Sequence, residues 1–102
     1  MSEYVAFEIK KQYEDFEMVV SYEFFYEIDV RFYFSDDDFF HLLIYANMIK
    51  NKKTLRKELK KQLNNMITSE QKKRIVKKHI NEITHTINNI SSNSILTRFI
   101  GV

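Results

Sequence analysis

Residues 16–34 read FEMVVSYEFFYEIDVRFYF, and their spacing decides the fold class. Every even position is apolar, from Phe16, Met18 and Val20 through Ile28, Val30, Phe32 and Phe34, while Glu17, Ser21, Glu23, Glu27, Asp29 and Arg31 stand at odd ones. Period two sustained over that length is the mark of β-strand with one face in a core. A single strand would reach roughly 60 Å at ~3.3 Å per residue, so the chain must reverse within the stretch. Cross-strand partners share a face, and a loop of odd length keeps even residues opposite even ones. Ser21-Tyr22-Glu23 is the expected loop, with Val20 opposite Phe24. Upstream, Val5, Phe7 and Ile9 alternate with Glu3 and Glu8 as in a further strand, although residues 4–20 also fit a helical stripe through Val5, Ile9, Phe16 and Val20.

Downstream, Ser35-Asp36-Asp37-Asp38 precedes Phe39, Leu42, Leu43, Ala46 and Ile49, an apolar spacing that predicts a helix over about 37–50. Ser35 and Asp38 then have the form of a capping box, with all three aspartates near the helix end where the macrodipole favours anions. The spacing and glycine of a calcium loop are missing, so the aspartates read as structural. Thr54 is the expected cap of a second helix, 54–66, with Leu55, Leu59, Leu63 and Met66 on its apolar side. Thr68 or Ser69 opens a third, 69–90, along Ile75, Val76, His79, Ile80, Ile83, Ile87 and Ile90. The expected fold class is α+β: a small antiparallel sheet of two or three strands, residues 3–34, packed against about three amphipathic helices in one domain of 102 residues.

Charge follows the same division. Residues 1–41 carry 11 acidic and three basic side chains, and residues 42–102 carry three acidic and 13 basic. The near-neutral total therefore conceals halves of −8 and +10. Without cysteine there is no disulfide scaffold, zinc ribbon or thiol nucleophile. Gly101 is the lone glycine, so no glycine-rich loop cradles a phosphate, and no cofactor is expected. The longest uncharged run, Phe39 to Ile49, is far short of the roughly 20 residues that span a bilayer, and Met1-Ser2-Glu3 does not open a signal peptide. A cytoplasmic protein without membrane contact is the expectation.

No catalytic constellation emerges. His79, Glu82 and His85 lie at i, i+3 and i+6 on a helix, which turns the outer two about 240° apart and rules against a three-ligand zinc site. No nucleophile signature surrounds any serine, and the chain reads as a non-enzyme. The expected function is a non-catalytic interaction module that binds a protein or an extended peptide, because a small sheet leaves an edge strand and this chain has no proline to block it. The alternative is nucleic-acid binding by the basic helices 50–61 and 72–78, with Lys57, Lys60, Lys61, Lys72, Lys73, Arg74, Lys77 and Lys78 as contacts. The apolar tail Ile95, Leu96, Phe99, Ile100 and Val102 is expected to dock on the same chain or on a neighbouring copy, which would make a homo-oligomer.

The dense aromatic β segment YEFFYEIDVRFYF (22–34) and the Lys/Ile/Asn-rich helix KKRIVKKHINEI (72–83), in a short chain free of Cys and Pro, resemble the small proteins of filamentous viruses that infect hyperthermophilic archaea, the Acidianus filamentous virus type. The resemblance carries no residue roles. It implies action in the host cytoplasm or the virion.

Overall fold

The computed structural model describes residues 7–22, 27–45 and 49–92. The chain divides into two compact units, residues 1–48 and 49–102. No charged residue lies between positions 42 and 48, so the structural division inherits the −8 and +10 of the sequence halves intact.

The first unit is a four-stranded antiparallel meander in the order β1 (Phe7–Gln12), β2 (Glu17–Tyr22), β3 (Glu27–Tyr33) and β4 (Phe39–Tyr45). Two or three strands were expected, and four are present. Val20 faces Val30, not Phe24, so the even-with-even pairing holds while the reversal lies further along, between Tyr22 and Glu27. The β3–β4 pairing also keeps even with even, matching Phe32 to Phe40, Val30 to Leu42 and Ile28 to Ile44. The four-residue β1–β2 connection switches parity and sets Ile9 opposite Val20, which brings the odd residues of β1 onto the same face. Met18, Val20, Tyr22, Ile28, Val30, Phe32, Leu42 and Ile44 on that face are all buried.

The helix expected over 37–50 is corrected by β4. Residues 39–45 satisfy both periods, since Phe40, Leu42 and Ile44 alternate as well as sharing a helical spacing with their neighbours. A cap contributes about 1 kcal/mol, whereas each apolar side chain fully buried beside β3 contributes roughly 1.5–3 kcal/mol, so pairing decides the conformation. Ser35 and Asp38 are therefore not a helix cap. They close a hairpin loop: Asp38 N–H donates to Ser35 C=O at 3.2 Å, and Phe34 N–H donates to Asp38 C=O at 2.9 Å. No described residue has positive φ. Two-residue hairpin turns need one or two such residues, so a sheet unit without glycine uses longer loops built on ordinary turn geometry.

Both connections at this end of the sheet, 13–16 and 34–38, send aromatic rings into one cluster. Phe16 stacks on Tyr13 at 4.8 Å, meets Phe32 edge-on at 5.9 Å and lies 5.6 Å from Phe34, which in turn meets Phe40 at 6.0 Å. The aspartates are the solvated tips between these anchored rings.

The second unit is helical: α1 (Lys52–Met66), α2 (Glu70–Lys77) and α3 (Ile80–Ser92). Asn51, three residues ahead of the expected Thr54, caps α1. Its Oδ1 accepts from Thr54 N–H at 2.8 Å and from the Thr54 hydroxyl at 3.0 Å. Ser69 caps α2 through Lys72 N–H at 3.3 Å. The helix expected over 69–90 is interrupted at Lys78–His79, where His79 N–H reaches back only to Val76 C=O at 3.0 Å, a tightened 3₁₀-type bond. Leu55, Leu59, Leu63 and Ile67 form one side of the buried seam, and Val76, Ile80, Ile83, Ile87 and Ile90 the other. Thr84 is buried among them with its hydroxyl bonded to Ile80 C=O at 2.7 Å. Among the described residues no helix is long and apolar enough to cross a membrane. The tail beyond residue 92, including the docking expected of Phe99 and its neighbours, lies outside the described residues.

These cap assignments separate two serines. Ser69→Ala should cost about 0.5–2 kcal/mol, as the loss of an N-cap does. Ser35→Ala, at an exposed loop position where the backbone makes the turn, should stay within about 0.5 kcal/mol of the parent. Chemical denaturation of the two variants side by side checks this. Equal losses would restore a capping role for Ser35.

Candidate nucleic-acid interface

Three side-chain bridges cross the helical unit and fix which flank of each helix faces the same way. Lys52 Nζ donates to His85 Nδ1 at 2.9 Å, Arg56 Nη1 to Asn81 Oδ1 at 3.1 Å, and Lys77 Nζ to Asn64 Oδ1. The residue numbers rise along α1 as they fall along α2 and α3, so α1 runs antiparallel to the helices after it. At about 100° per residue, Lys53, Lys57, Lys60 and Lys61 fall on the bridged flank of α1 and its solvent side. Lys73, Arg74, Lys77 and Lys78 fall on the same flank of α2. Seven of the eight cations singled out in the sequence are thus brought together. Lys72 is the exception, for its place in the helical turn carries it to the opposite flank.

Burial and partners grade the members. Lys53, Lys57, Lys60, Lys61, Arg74 and Lys78 are exposed. Lys73 is tied to Glu70 at 3.3 Å, the one carboxylate of α1 and α2 on this flank. Glu58, which accepts from Gln62 Nε2 at 3.0 Å, turns to the other side by the same helical count, and Glu82 of α3 lies one turn from the bridged His85. Lys53 and Arg56 lie within the basic segment 50–61 but were not named as contacts, and sequence reasoning missed the neutral hydrogen-bonding groups Asn64 and Asn81, although the spacing 53, 57, 60, 64 would have found the row.

The first turn of α1 breaks a local rule. It contains no acidic residue and starts Lys52-Lys53, while its last turn contains no basic one. Cations at a helix N-terminus oppose the macrodipole and cost a few tenths of a kcal/mol each. Their effect is to add to the positive potential at that end of the flank.

The sheet unit offers a different chemistry on its outward face. His41 Nε2 lies 2.9 Å from Asp29 Oδ1, and Arg31 Nε lies 3.5 Å from the same oxygen. Ser21 is the cross-strand neighbour of Asp29, on the side away from β4. A hydrolytic triad needs histidine between serine and aspartate, whereas here aspartate stands between the other two and His41 is two strands, roughly 10 Å, from Ser21. Tyr33 and Phe39 stack at 5.0 Å on this face, with Phe39 46% exposed. Among the described residues no group of three or more histidine, aspartate or glutamate side chains is placed to hold a metal. His85 is held by Lys52 at 2.9 Å and lies near Asn89.

No family model, curated protein or solved structure matches the chain.

Proposed function

We propose that this chain is a non-catalytic binding module whose helical unit grips nucleic acid through its basic flank. The observation that carries the reading is the gathering of seven cations from α1 and α2 on one side of a helical hairpin, with a single carboxylate among them. Lysine-rich helices are commonly just solvated, and solvation alone favours mixed signs around the helix, not segregation onto one flank. The lysines at the start of α1 support the same reading, because they stand where helix stability favours acids. The carboxylates of the chain are concentrated in the other unit, which carries 11 of the 14.

A charge reversal tests it. Lys57→Glu/Lys60→Glu should weaken binding to random-sequence nucleic acid by roughly tenfold or more and flatten its salt dependence, since each lysine lost is a counterion no longer released. Lys72→Glu changes charge too, but off the flank, and should have a clearly smaller effect. If Lys72→Glu weakens binding as much per charge as the flank reversals, net charge and not this surface is responsible.

A second reading rests on Phe39. An exposed ring stacked on Tyr33, with Glu17 next in the cross-strand row, suits a basic side chain of a protein or peptide partner by cation–π and charge attraction. Basic peptides included in the same titrations decide it: binding that survives Lys57→Glu/Lys60→Glu but is lost in Phe39→Ala supports it. The resemblance to archaeal viral proteins extends either reading to the virion or the host cytoplasm as the place of action.

A further inference from the structure

We propose that the nucleic acid held by the basic flank is double-stranded and is contacted through its phosphates without reading sequence. This rests on the nucleic-acid reading above and names its ligand. Proteins that hold single strands combine a cationic groove with aromatic side chains on which unpaired bases stack. Residues 49–92, the whole described part of the helical unit, contain no Phe, Tyr or Trp. A base turned toward this surface finds lysine stems, asparagine amides and the small imidazole of His85, which is already held by Lys52, and no Phe, Tyr or Trp ring to replace the stacking it has lost. A duplex keeps its bases stacked on one another and presents phosphates alone.

The cations form two rows, Lys53-Lys57-Lys60 on α1 and Arg74-Lys78 on α2. The bridges Arg56–Asn81 and Lys77–Asn64 set the α1 row beside α3 and the α2 row beside the end of α1, so the two follow one another along the flank as a single stripe of charge. A stripe of this kind can track the phosphates of a backbone whose bases are already stacked on one another. The composition agrees. Of the 12 cations in residues 49–92, ten are lysines, which are mobile point charges without the rigid fork that reads guanine bidentately.

Fluorescence anisotropy with the full chain tests this. The probes are labelled 20-base-pair random duplexes of DNA and of RNA, and single strands of the same length, titrated at several salt concentrations. Both or either duplex should bind at least about tenfold tighter than the single strands at equal salt, with affinities equal within about twofold across unrelated sequences. The log–log salt slope for duplex DNA should be about −4.5 for about five phosphate contacts. The DNA and RNA arms tell which helix form the two rows fit. Single strands bound as tightly as duplexes, or affinities spread widely with sequence, would overturn the duplex assignment and leave nucleic-acid binding standing. Absence of binding to every probe at low salt would overturn both.

Discussion

Phe32→Ala should lose about 3–5 kcal/mol of stability, the range for emptying a large buried aromatic site. Phe32 is fully buried on β3, an inner strand, with Met18 and Phe40 as its cross-strand neighbours and the ring of Phe16 edge-on at 5.9 Å. Small domains have roughly 5–15 kcal/mol in all, so this one truncation removes a large share. Phe39, seven residues later and nearly half exposed on the opposite face, is the control. Its truncation should stay within about 1 kcal/mol, the scale of a single aromatic pair. Urea unfolding followed by tyrosine fluorescence compares them. Equal losses would mean that the two faces of the sheet have been exchanged.

The helical unit has its own sensitive point. Leu59→Ala should cost about 2–5 kcal/mol, because Leu59 is fully buried at the middle of the α1 seam, with Leu55 and Leu63 one turn to either side. Lys60→Ala, one residue on and exposed, should stay within about 0.5 kcal/mol. Helix content by circular dichroism against denaturant measures both. A mild effect at Leu59 would show that the seam collapses around the missing atoms, or that it is not the core of this unit.

Most of the apolar pattern was legible, and most of the turns were not. The even-numbered core of residues 18–22 and 28–32 could be read directly because strand period and burial coincide there. The reversal after Tyr22 was hidden because Phe24, Phe25 and Tyr26 continue the aromatic pattern where glycine or asparagine would ordinarily punctuate it. β4 was hidden by a local ambiguity: Ser35 and three aspartates imitate a helix start, and only pairing with β3 separates the two periods. That same pairing creates the Asp29–His41 contact, which no spacing along the chain could reveal while residues 39–45 were read as helix. On the helical side, residue types and seam were both visible. The shared flank was not, because it depends on which side of α1 turns toward α2 and α3. The break at Lys78–His79 carries no proline or glycine and left no signal.

The connectivity has a consequence for the order in which the protein is made. Among the described residues, every strand pairs with the strand next to it in sequence, and α1 packs on the helices that directly follow it. Closing such short loops costs little chain entropy, and folds of low contact order form quickly. All residues of the sheet unit precede all residues of the helical unit, so the meander can complete its ladder on the ribosome while the lysine-rich segment is still being synthesised. A nascent chain stalled after residue 48 and released past the exit tunnel should already protect its β2 and β3 amides from hydrogen exchange.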